Sequence, residues 1–321
     1  MSRRSPARDR VRNDNCHGAA SPTRCYGRLW RYVTRRGPDL FIVGAPKCGT
    51  TSLYRTLRGH PQLYASPRKE PHFFCDVPPP HFRPMGPDAY FALFADAPVS
   101  SVAYEASTNY IYSAAACGSI RDYSPSSRIL VALRDPADRA YSEYWHFRRY
   151  GLEPLSFEEC VAADGEREVS RRYVERGLYA CHLERYREAF GEDRVHVLLL
   201  DDLRRDAANA YAEVFRFLGV GADCHVDGAI RHGRGWAPRW PGAGAAYGRL
   251  VSDRSPVARV ARKVMPRPVR RVSRGVVSAL FTDARVPPMA PDTRALLCHA
   301  YAAEISRLES ILGRDLTPWR T

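Results

Sequence analysis

The sequence predicts an α/β fold, in which a single domain holds a central parallel β-sheet flanked by helices. The first observation is that short apolar runs alternate with longer amphipathic segments. The second is a glycine-containing loop between the first apolar run and the first amphipathic segment. The third is composition: 321 residues, 45% hydrophobic and 26% charged, are typical of a soluble chain with a packed core. Because parallel strands need crossover helices, the alternation favours a parallel sheet.

The predicted elements follow from this periodicity and from the residues at their ends. The predicted strands are residues 39–44, 101–105, 128–133 and 194–200. The predicted helices are residues 51–59, 136–149, 179–190, 207–218 and 292–312. Pro136 suits the first turn of its helix, where a backbone N–H would have no helical partner. Gly219 suits a helix end, because glycine adopts left-handed conformations without strain.

Three segments lie outside the alternation. Residues 1–37 carry many arginines and no apolar core stretch, which predicts a disordered extension before a domain at residues 38–321. Residues 76–98 are rich in proline and aromatic side chains and are predicted to be a surface excursion. Residues 228–290 are predicted to be a variable insertion, which begins as a mobile loop or lid and continues with basic helical spacing.

The strongly basic composition predicts an anionic ligand. The formal net charge is +14 and the pI is near 9.6. Nucleic acid, phosphate esters, acidic sugars and membrane surfaces all fit such a charge. No nucleic-acid-binding motif occurs, so nucleic acid is not the expected partner. No apolar run approaches the ~20 residues that span a bilayer, so no transmembrane segment is expected.

The nine cysteines predict neither a metal site nor a disulfide framework, because their number is odd and no C-x-x-C pair occurs. Reduced thiols, together with the absence of an apolar leader, predict a cytoplasmic protein. Only three of the 49 basic residues are lysines, namely Lys47, Lys69 and Lys263. This arginine bias indicates a GC-rich genome and is the reason to expect a bacterial source.

The most informative stretch is the loop at residues 44–52, between a predicted strand and a predicted helix. Gly44 and Gly49 have the spacing of the nucleotide-binding pattern G-x-x-x-x-G-K-[ST]. Thr50 stands where that pattern has lysine, and Lys47 lies inside the loop instead. Backbone N–H groups and the helix N-terminus can bind a phosphate here. Lys47 could then neutralise charge that develops on a leaving 5′-phosphate, without a metal.

Residues 46–52 resemble the 5′-phosphosulfate loop of the PAPS-dependent sulfotransferase family, in its bacterial and carbohydrate-type branch. The resemblance covers residues 39–220 and is weaker at 292–319. It implies a P-loop NTPase-like fold of the PAPS sulfotransferase type, with 3′-phosphoadenosine 5′-phosphosulfate (PAPS) as donor, PAP as product and no metal. It also implies that Lys47 is catalytic. The donor-binding residues implied at this loop are Lys47, Cys48, Gly49, Thr50, Thr51 and Ser52.

A second anion site is predicted after the strand at residues 128–133. Arg134 follows that strand, at the edge where open α/β sheets bind ligands, and Ser142 lies in the following helix. An arginine fork and a hydroxyl suit a phosphate monoester. The pair resembles the family's 3′-phosphate motif. Arg139 has a weaker case, because it can pair with Asp135 or Asp138.

The acceptor needs a group that takes its proton, and residues 69–74 offer one. The stretch Lys-Glu-Pro-His-Phe-Phe resembles a family segment in which the glutamate is the general base. The resemblance implies that Glu70 is the catalytic base, with His72 as a second catalytic residue and Lys69 as a neighbour. The alternative from the sequence alone is a pair of solvated loop charges.

Residues 104–110 resemble the family's E-K-[TS]-P-x-Y segment, with two departures. Ala106 replaces the lysine and Thr108 replaces the proline. The missing lysine weakens the expectation of a heparan-like acceptor. Glu105 remains as a second candidate for the base, and the sequence leaves the choice between Glu105 and Glu70 open.

Arginine and tryptophan alternate in a region where the family often closes a loop over the nucleotide. Arginine could reach the 3′-phosphate and tryptophan could stack on the base, although a plain surface loop is the alternative. The side chains concerned are Arg231, Arg234, Trp236, Arg239 and Trp240.

The leading hypothesis is an enzyme of class EC 2.8.2, which transfers sulfuryl from PAPS by in-line displacement. The expected acceptor is a hydroxyl, in preference to an amine, on a carbohydrate, lipid or secondary metabolite. The alternative is a P-loop kinase, for which Asp201 and Asp202 are the only contenders as a Walker-B carboxylate. A nucleic-acid-binding protein is the non-enzymatic alternative. Acceptor identity and oligomeric state are left open.

Overall fold

The computed structural model describes residues 35–76, 85–221, 237–240, 242–251, 280–283 and 285–321, with single positions at 260 and 264. Nearly all of the expected N-terminal extension therefore lies outside the described residues. Much of the expected insertion at 228–290 lies outside them as well. The division into an extension at residues 1–37 and a domain at residues 38–321 stays a prediction.

A five-stranded sheet forms the centre of the described chain, and all of its strand pairs are parallel. Its strands are β1 (Leu40–Gly44), β2 (Leu63–Ala65), β3 (Val102–Ala106), β4 (Arg128–Leu133) and β5 (Val195–Leu199). The spatial order is β2-β3-β1-β4-β5, so β1 is central. Every residue of β1 is buried, as a strand covered on both faces requires. The predicted parallel sheet is confirmed.

The helices in the first part of the chain are α1 (Thr50–Leu57), α2 (Pro87–Phe91), α3 (Ala114–Tyr123), α4 (Pro136–Arg148) and α5 (Phe157–Ala162). Later helices are α6 (Ala180–Phe190), α7 (Leu200–Arg205), α8 (Ala207–Leu218), α9 (Ala243–Val251) and α10 (Pro291–Leu312). Helix α10 packs against α4 and α6, and α8 packs against β5. A separate antiparallel pair joins β6 (Ala237–Pro238) to β7 (Thr282–Asp283).

The sequence analysis did not predict β2 or the helices α3, α5, α7 and α9, and it misassigned the segment that contains α2. Strand β2 was missed, because three residues are too few to show a periodicity. The predicted surface excursion at residues 76–98 contains α2, whose Tyr90 and Phe91 are buried in the core. The Tyr90 ring stacks on the Phe73 ring with centroids 4.2 Å apart. The aromatic residues of this segment therefore belong to the core, while residues 77–84 lie outside the described part.

The strand order brings three chain segments to one edge of the sheet. Strand β1 lies between β3 and β4, and all three end at the same edge. The Ala45 N–H donates to the Ala132 carbonyl oxygen at 2.7 Å, and the Ser107 N–H donates to the Ile42 carbonyl oxygen at 3.1 Å. These bonds fix where the loops after the three strands begin. Ligands bind at such an edge in open α/β sheets.

Candidate active site

The loop between β1 and α1, called the donor loop from here on (residues 44–52), has the backbone of a phosphate cradle. Gly49 has a φ of 84°, and a Cβ there would lie 2.8 Å from Cδ1 of Leu200. A Cβ on Gly44 would lie 2.7 Å from the carbonyl oxygen of Thr108. In the described part of the chain, no side chain caps the N-terminus of α1. Backbone N–H groups at such a helix start can bind an anion.

Lys47 is half-buried in the donor loop among other cations. Burial and the positive charge of Arg149 lower the pKa of Lys47 to about 8. The charge of Arg134 acts in the same direction, and Glu143 acts against it. Like charges gathered in a partly desolvated place repel one another unless an anion neutralises them. The arrangement therefore suits a negatively charged ligand.

Arg134 and Ser142 lie after β4 and in α4, as the sequence predicted. Nη2 of Arg134 donates to Oδ2 of Asp138 at 2.8 Å. The other oxygen of Asp138 accepts from Nη1 of Arg294, in α10, at 2.9 Å. The Arg134 guanidinium is thus oriented by a carboxylate that is itself held by the last helix.

Arg139 does not pair with Asp135 or Asp138, the two partners that the sequence offered. Its side chain is fully buried, and its Nη1 donates to Oε2 of Glu143 at 2.5 Å. Both aspartates accept from Arg294 instead. Glu143 lies one helical turn further along α4, where an i, i+4 partner is within reach. Arg139 is therefore a buried core residue whose partner is Glu143.

Residues 69–74, called the acceptor segment from here on, hold a carboxylate with several partners. Oε1 of Glu70 lies 2.5 Å from Nζ of Lys69, and Oε2 lies 3.1 Å from Nε2 of His72. Burial alone would raise the pKa of Glu70, but the hydrogen bond from His72 and the charge of Lys69 lower it to about 2. Glu70 is therefore ionised at neutral pH.

Lys47, Glu70 and His72 share an unusual backbone conformation. Their φ angles are 69°, 61° and 51°, and no other non-glycine residue in the described chain has a positive φ. A left-handed conformation costs an L-residue about 1–2 kcal/mol. Such strain persists where the surrounding contacts impose it, and it clusters at active sites. The three residues that the sequence predicted to be catalytic are the three that carry this strain.

Comparison with known proteins identifies the family. Residues 37–232 match the family model described as "Sulfotransferase domain". The chain belongs to the sulfotransferase family. The mouse bifunctional heparan sulfate N-deacetylase/N-sulfotransferase 1 is 34% identical over 197 residues, which cover 58% of this chain. Human carbohydrate sulfotransferase 15 is 24% identical over 246 residues, which cover 57% of this chain and 44% of that protein.

The match to the mouse protein spans only 22% of that protein's length. Among solved structures, a sulfotransferase from Alicyclobacillus acidocaldarius superposes with a TM-score of 0.67 at 29% identity. The superposition covers 89% of this chain and 100% of the other. The predicted sulfotransferase fold is therefore confirmed, with its central parallel sheet flanked by helices.

Thr108, which replaces the proline of the family segment, contacts Glu70 directly. The Thr108 N–H donates to Oε2 of Glu70 at 2.9 Å, and its Oγ1 donates to Oε1 at 3.1 Å. Proline has no N–H and no hydroxyl, so it could make neither bond. In this sulfotransferase, the departure from the family pattern therefore gives the carboxylate two further donors.

Glu105 is wholly buried, whereas 29% of the Glu70 side chain is exposed. The hydroxyls of Tyr90 and Tyr110 donate to Oε1 of Glu105 at 2.8 and 3.0 Å. The hydroxyl of Ser107 donates to Oε2 at 2.7 Å. Glu70 is partly open to solvent, whereas Glu105 is enclosed by these three hydroxyls.

Two residues near the donor loop, one in α4 and one just past its end, were missed by the sequence analysis. Arg149, just past the end of α4, acts electrostatically on Lys47, and the charge of Lys47 in turn helps to lower the pKa of the solvent-exposed His146. Ser142, His146 and Arg149 are spaced by four and three residues, so they lie on one face of the helix. This spacing is visible in the sequence and was the signal that could have found them.

The carboxylates considered for a kinase-type site hold the C-terminal segment. Asp202 accepts from Nη1 and Nη2 of Arg314 at 2.6 and 2.7 Å. Asp201 accepts from Nε1 of Trp319 at 2.9 Å. The described residues contain no group of three or more potential ligands that could hold a metal ion. They also contain no helix long and apolar enough to cross a membrane.

The arginine and tryptophan residues expected to cover the nucleotide are only partly described. Arg231, Arg234 and Trp236 lie outside the described residues. The backbone N–H of Arg239 donates to the Phe281 carbonyl oxygen at 3.1 Å, beside the β6–β7 pair. Trp240 is 44% exposed. A role for this region in donor binding stays a prediction.

Proposed function

We propose that this protein transfers a sulfuryl group from PAPS to a hydroxyl or amine of an acceptor. The observation that carries the proposal is a half-buried lysine inside a phosphate loop, at the edge of the sheet where Arg134 and Glu70 also lie. A kinase would need its lysine after the second glycine, and Thr50 occupies that position.

The residues around the donor loop fit a donor with two separated anionic groups. The backbone of residues 46–52, with the side chain of Lys47, would hold the 5′-phosphosulfate. Arg134 and Ser142 would hold the 3′-phosphate. The fit is supported by the pKa of Lys47, which burial and neighbouring cations lower to about 8. An anion beside Lys47 would relieve the repulsion among these cations.

The reaction proposed here depends on positioning and on charge stabilisation. Glu70 accepts the proton of the acceptor hydroxyl or amine while the acceptor atom bonds to sulfur. The bond from sulfur to the bridging oxygen breaks, and its electron pair stays with the leaving PAP. Lys47 is protonated at neutral pH and stabilises the charge on that oxygen. His72 holds Oε2 of Glu70 from a distance of 3.1 Å and keeps the carboxylate in place.

A carbohydrate is the acceptor class that we favour. The proposal is supported by the names of two relatives, one acting on heparan sulfate and one called a carbohydrate sulfotransferase. Ala106, in place of the family's lysine, argues against a heparan-like chain. A lipid or a secondary metabolite remains the alternative. A bacterial source and a cytoplasmic location are proposed on the arginine bias and on the cysteine content alone.

Calorimetric titration with PAP, with ATP as the control and no magnesium, tests the donor site. We expect tight binding of PAP and weak binding of ATP. Arg134→Ala should weaken PAP binding, and Arg121→Ala is the matched control, because Arg121 is an exposed arginine in α3. Absence of PAP binding, or ATP binding and turnover that appear only with magnesium, would overturn the proposal in favour of a kinase.

A further inference from the structure

Glu105 is a buried carboxylate that the proposed reaction does not use. It lies in β3, beside the central strand, and none of its surface is exposed. Burial raises its pKa to about 7, although hydrogen bonds from Ser107, Tyr90 and Tyr110 act against the rise. A carboxylate is costly to bury unless it makes contacts that an apolar side chain could not make. Its contacts lead to the acceptor segment.

Two hydroxyl groups connect Glu105 to the backbone of the acceptor segment. Oγ of Ser107 donates to Oε2 of Glu105 at 2.7 Å and accepts from the N–H of His72 at 2.9 Å. The hydroxyl of Tyr110 donates to Oε1 at 3.0 Å and accepts from the N–H of Phe74 at 3.0 Å. Each connection runs through a single hydroxyl group. Together they reach His72 and Phe74, which are two residues apart in the segment.

When Glu105 is ionised, its negative charge determines which way both hydroxyls point. A hydroxyl has a single proton, and an ionised carboxylate can only accept hydrogen bonds. Ser107 and Tyr110 must therefore donate to Glu105, which leaves their lone pairs for the N–H groups of His72 and Phe74. A glutamine at this position would turn an N–H donor toward one of the hydroxyls. That hydroxyl could no longer donate there, so its proton would lose its acceptor, and the hydrogen bond that orients the hydroxyl toward the segment would be weakened.

The backbone held in this way is the strained one. Glu70 and His72 have positive φ angles, and a strained backbone persists only where its surroundings over-determine it. The N–H of Glu70 donates to the Ala106 carbonyl oxygen at 2.8 Å, which anchors one end of the segment. The links through Ser107 and Tyr110 anchor the other end.

We propose that Glu105 is a positioning residue, which holds Glu70 and His72 in their reactive geometry through the hydroxyls of Ser107 and Tyr110. This inference rests on the proposed sulfuryl transfer. It answers the question that the sequence left open, because it gives the two carboxylates different tasks. Glu70 takes the proton, and Glu105 determines where Glu70 lies.

Tyr90 provides a matched control for the test. Its hydroxyl donates to Oε1 of Glu105 at 2.8 Å, as that of Tyr110 does at 3.0 Å. Within the described chain, the Tyr90 hydroxyl makes no hydrogen bond to the acceptor segment. Tyr90→Phe therefore removes one hydrogen bond from Glu105 and keeps both links, whereas Tyr110→Phe removes the same kind of bond together with the link to Phe74.

The first measurement is steady-state kinetics of the full chain with PAPS. For Glu105→Gln we expect kcat to fall by about 10- to 100-fold, because a displacement of about 1 Å at a reacting group has such an effect. The KM for PAPS should change by less than about twofold, because the donor loop is untouched. Tyr110→Phe should lower kcat, and Tyr90→Phe should leave it unchanged. An equal loss of kcat in Tyr90→Phe and Tyr110→Phe would overturn the proposal.

The second measurement is amide hydrogen exchange of a peptide that contains residues 70–74, which needs no activity. We expect faster exchange in Glu105→Gln and Tyr110→Phe than in Tyr90→Phe. Unchanged exchange in both former variants would overturn the proposal. If Glu105→Gln does not fold, the two tyrosine variants still decide the outcome. A wild-type protein without sulfuryl transfer would overturn the proposed function, while the exchange result would still show whether Glu105 holds the segment.

Discussion

The donor loop and the acceptor segment treat their charged groups in opposite ways. In the donor loop, burial and the like charge of Arg149 lower the pKa of Lys47 to about 8. In the acceptor segment, burial would raise the pKa of Glu70, but His72 and Lys69 lower it to about 2. The neighbouring cations disfavour the charged form of Lys47, whereas the neighbours of Glu70 favour its charged form.

The difference shows which side of the site finds partners for its charged group within the protein itself. The acceptor segment already holds the partners that its carboxylate needs. At the donor loop, the charges of Arg149 and Arg134 disfavour the charged form of Lys47, and an anionic ligand would offset them. Changes in the acceptor segment should therefore affect turnover alone, whereas changes around the donor loop should also affect ligand binding.

The largest expected effect is that of Glu70→Gln. It should lower kcat by about 10²–10⁴-fold, because a positioned general base contributes that much. The affinity for PAP should stay unchanged, because the donor loop does not involve Glu70. Steady-state kinetics and calorimetry check the two parts. Glu188→Gln, an exposed glutamate in α6, is the control and should behave as wild type. Full turnover in Glu70→Gln would refute Glu70 as the base.

Lys47→Met should have the next largest effect. Loss of one preorganised positive group at a leaving oxygen costs about 10²–10³-fold in kcat. In contrast to Glu70→Gln, this variant should also bind PAP more weakly, because the lysine contacts the ligand in the ground state. Rates at saturating PAPS and calorimetry with PAP separate the two effects. Wild-type PAP affinity in this variant would contradict the comparison between the two sides.

PAP affinity should depend on pH through Lys47. Burial and neighbouring cations put the pKa of Lys47 at about 8, and an anion binds the protonated form. The affinity should therefore be full below pH 8 and fall as the pH rises through that value. Between pH 7 and pH 9 the loss should be about tenfold, because about a tenth of the lysine remains charged at pH 9. A phosphate monoester has its second pKa near 6, so the ligand itself does not titrate in this range.

Lys47→Arg is the control for the pH dependence. Arginine stays protonated across this range, so the affinity of the variant for PAP should be flat between pH 7 and pH 9. Calorimetric titration of both proteins at several pH values makes the comparison. If PAP affinity fell equally with pH in the two proteins, the pH dependence would belong to another group.

The smallest expected effect is that of Arg294→Ala. Arg294 bonds to Asp138, which orients Arg134, and its side chain is 28% exposed. An ion pair of this exposure contributes about 0.2–1 kcal/mol, so PAP affinity should fall by up to about fivefold. The kcat at saturating PAPS should stay unchanged, because the acceptor segment is remote from α10. A larger loss of kcat than of affinity would contradict the assignment of Arg294 to the donor side.

The residues proposed to bind the donor could be predicted from the sequence because each group lies within one short stretch of chain. The loop at residues 44–52 belongs to one strand-loop-helix unit, and Arg134 and Ser142 belong to the next such unit. Helical spacing also placed His146 on the face of Ser142, although the sequence analysis did not use it. Arg139 was misassigned, because both an aspartate and Glu143 lie within reach of it along the helix.

The acceptor side could not be read in the same way, because its contacts join distant segments. Glu70 meets Thr108, 38 residues away, only because β2 and β3 are neighbours in the sheet. Strand β2 has three residues and no readable pattern. Tyr90 reaches Glu105 from a segment whose composition resembles a surface excursion.

The sequence by itself determined the parallel α/β fold, the strand-loop-helix unit of the donor loop and the identity of the residues that we propose to bind two phosphates. These features depend on periodicity and on spacing within a few residues, which the chain carries locally. Only the tertiary structure decided which carboxylate is exposed, which is enclosed, and which two arginines bond to Asp138. Burial and hydrogen-bond partners depend on the strand order. Burial and these partners put the pKa of Glu70 at about 2 and the pKa of Glu105 at about 7.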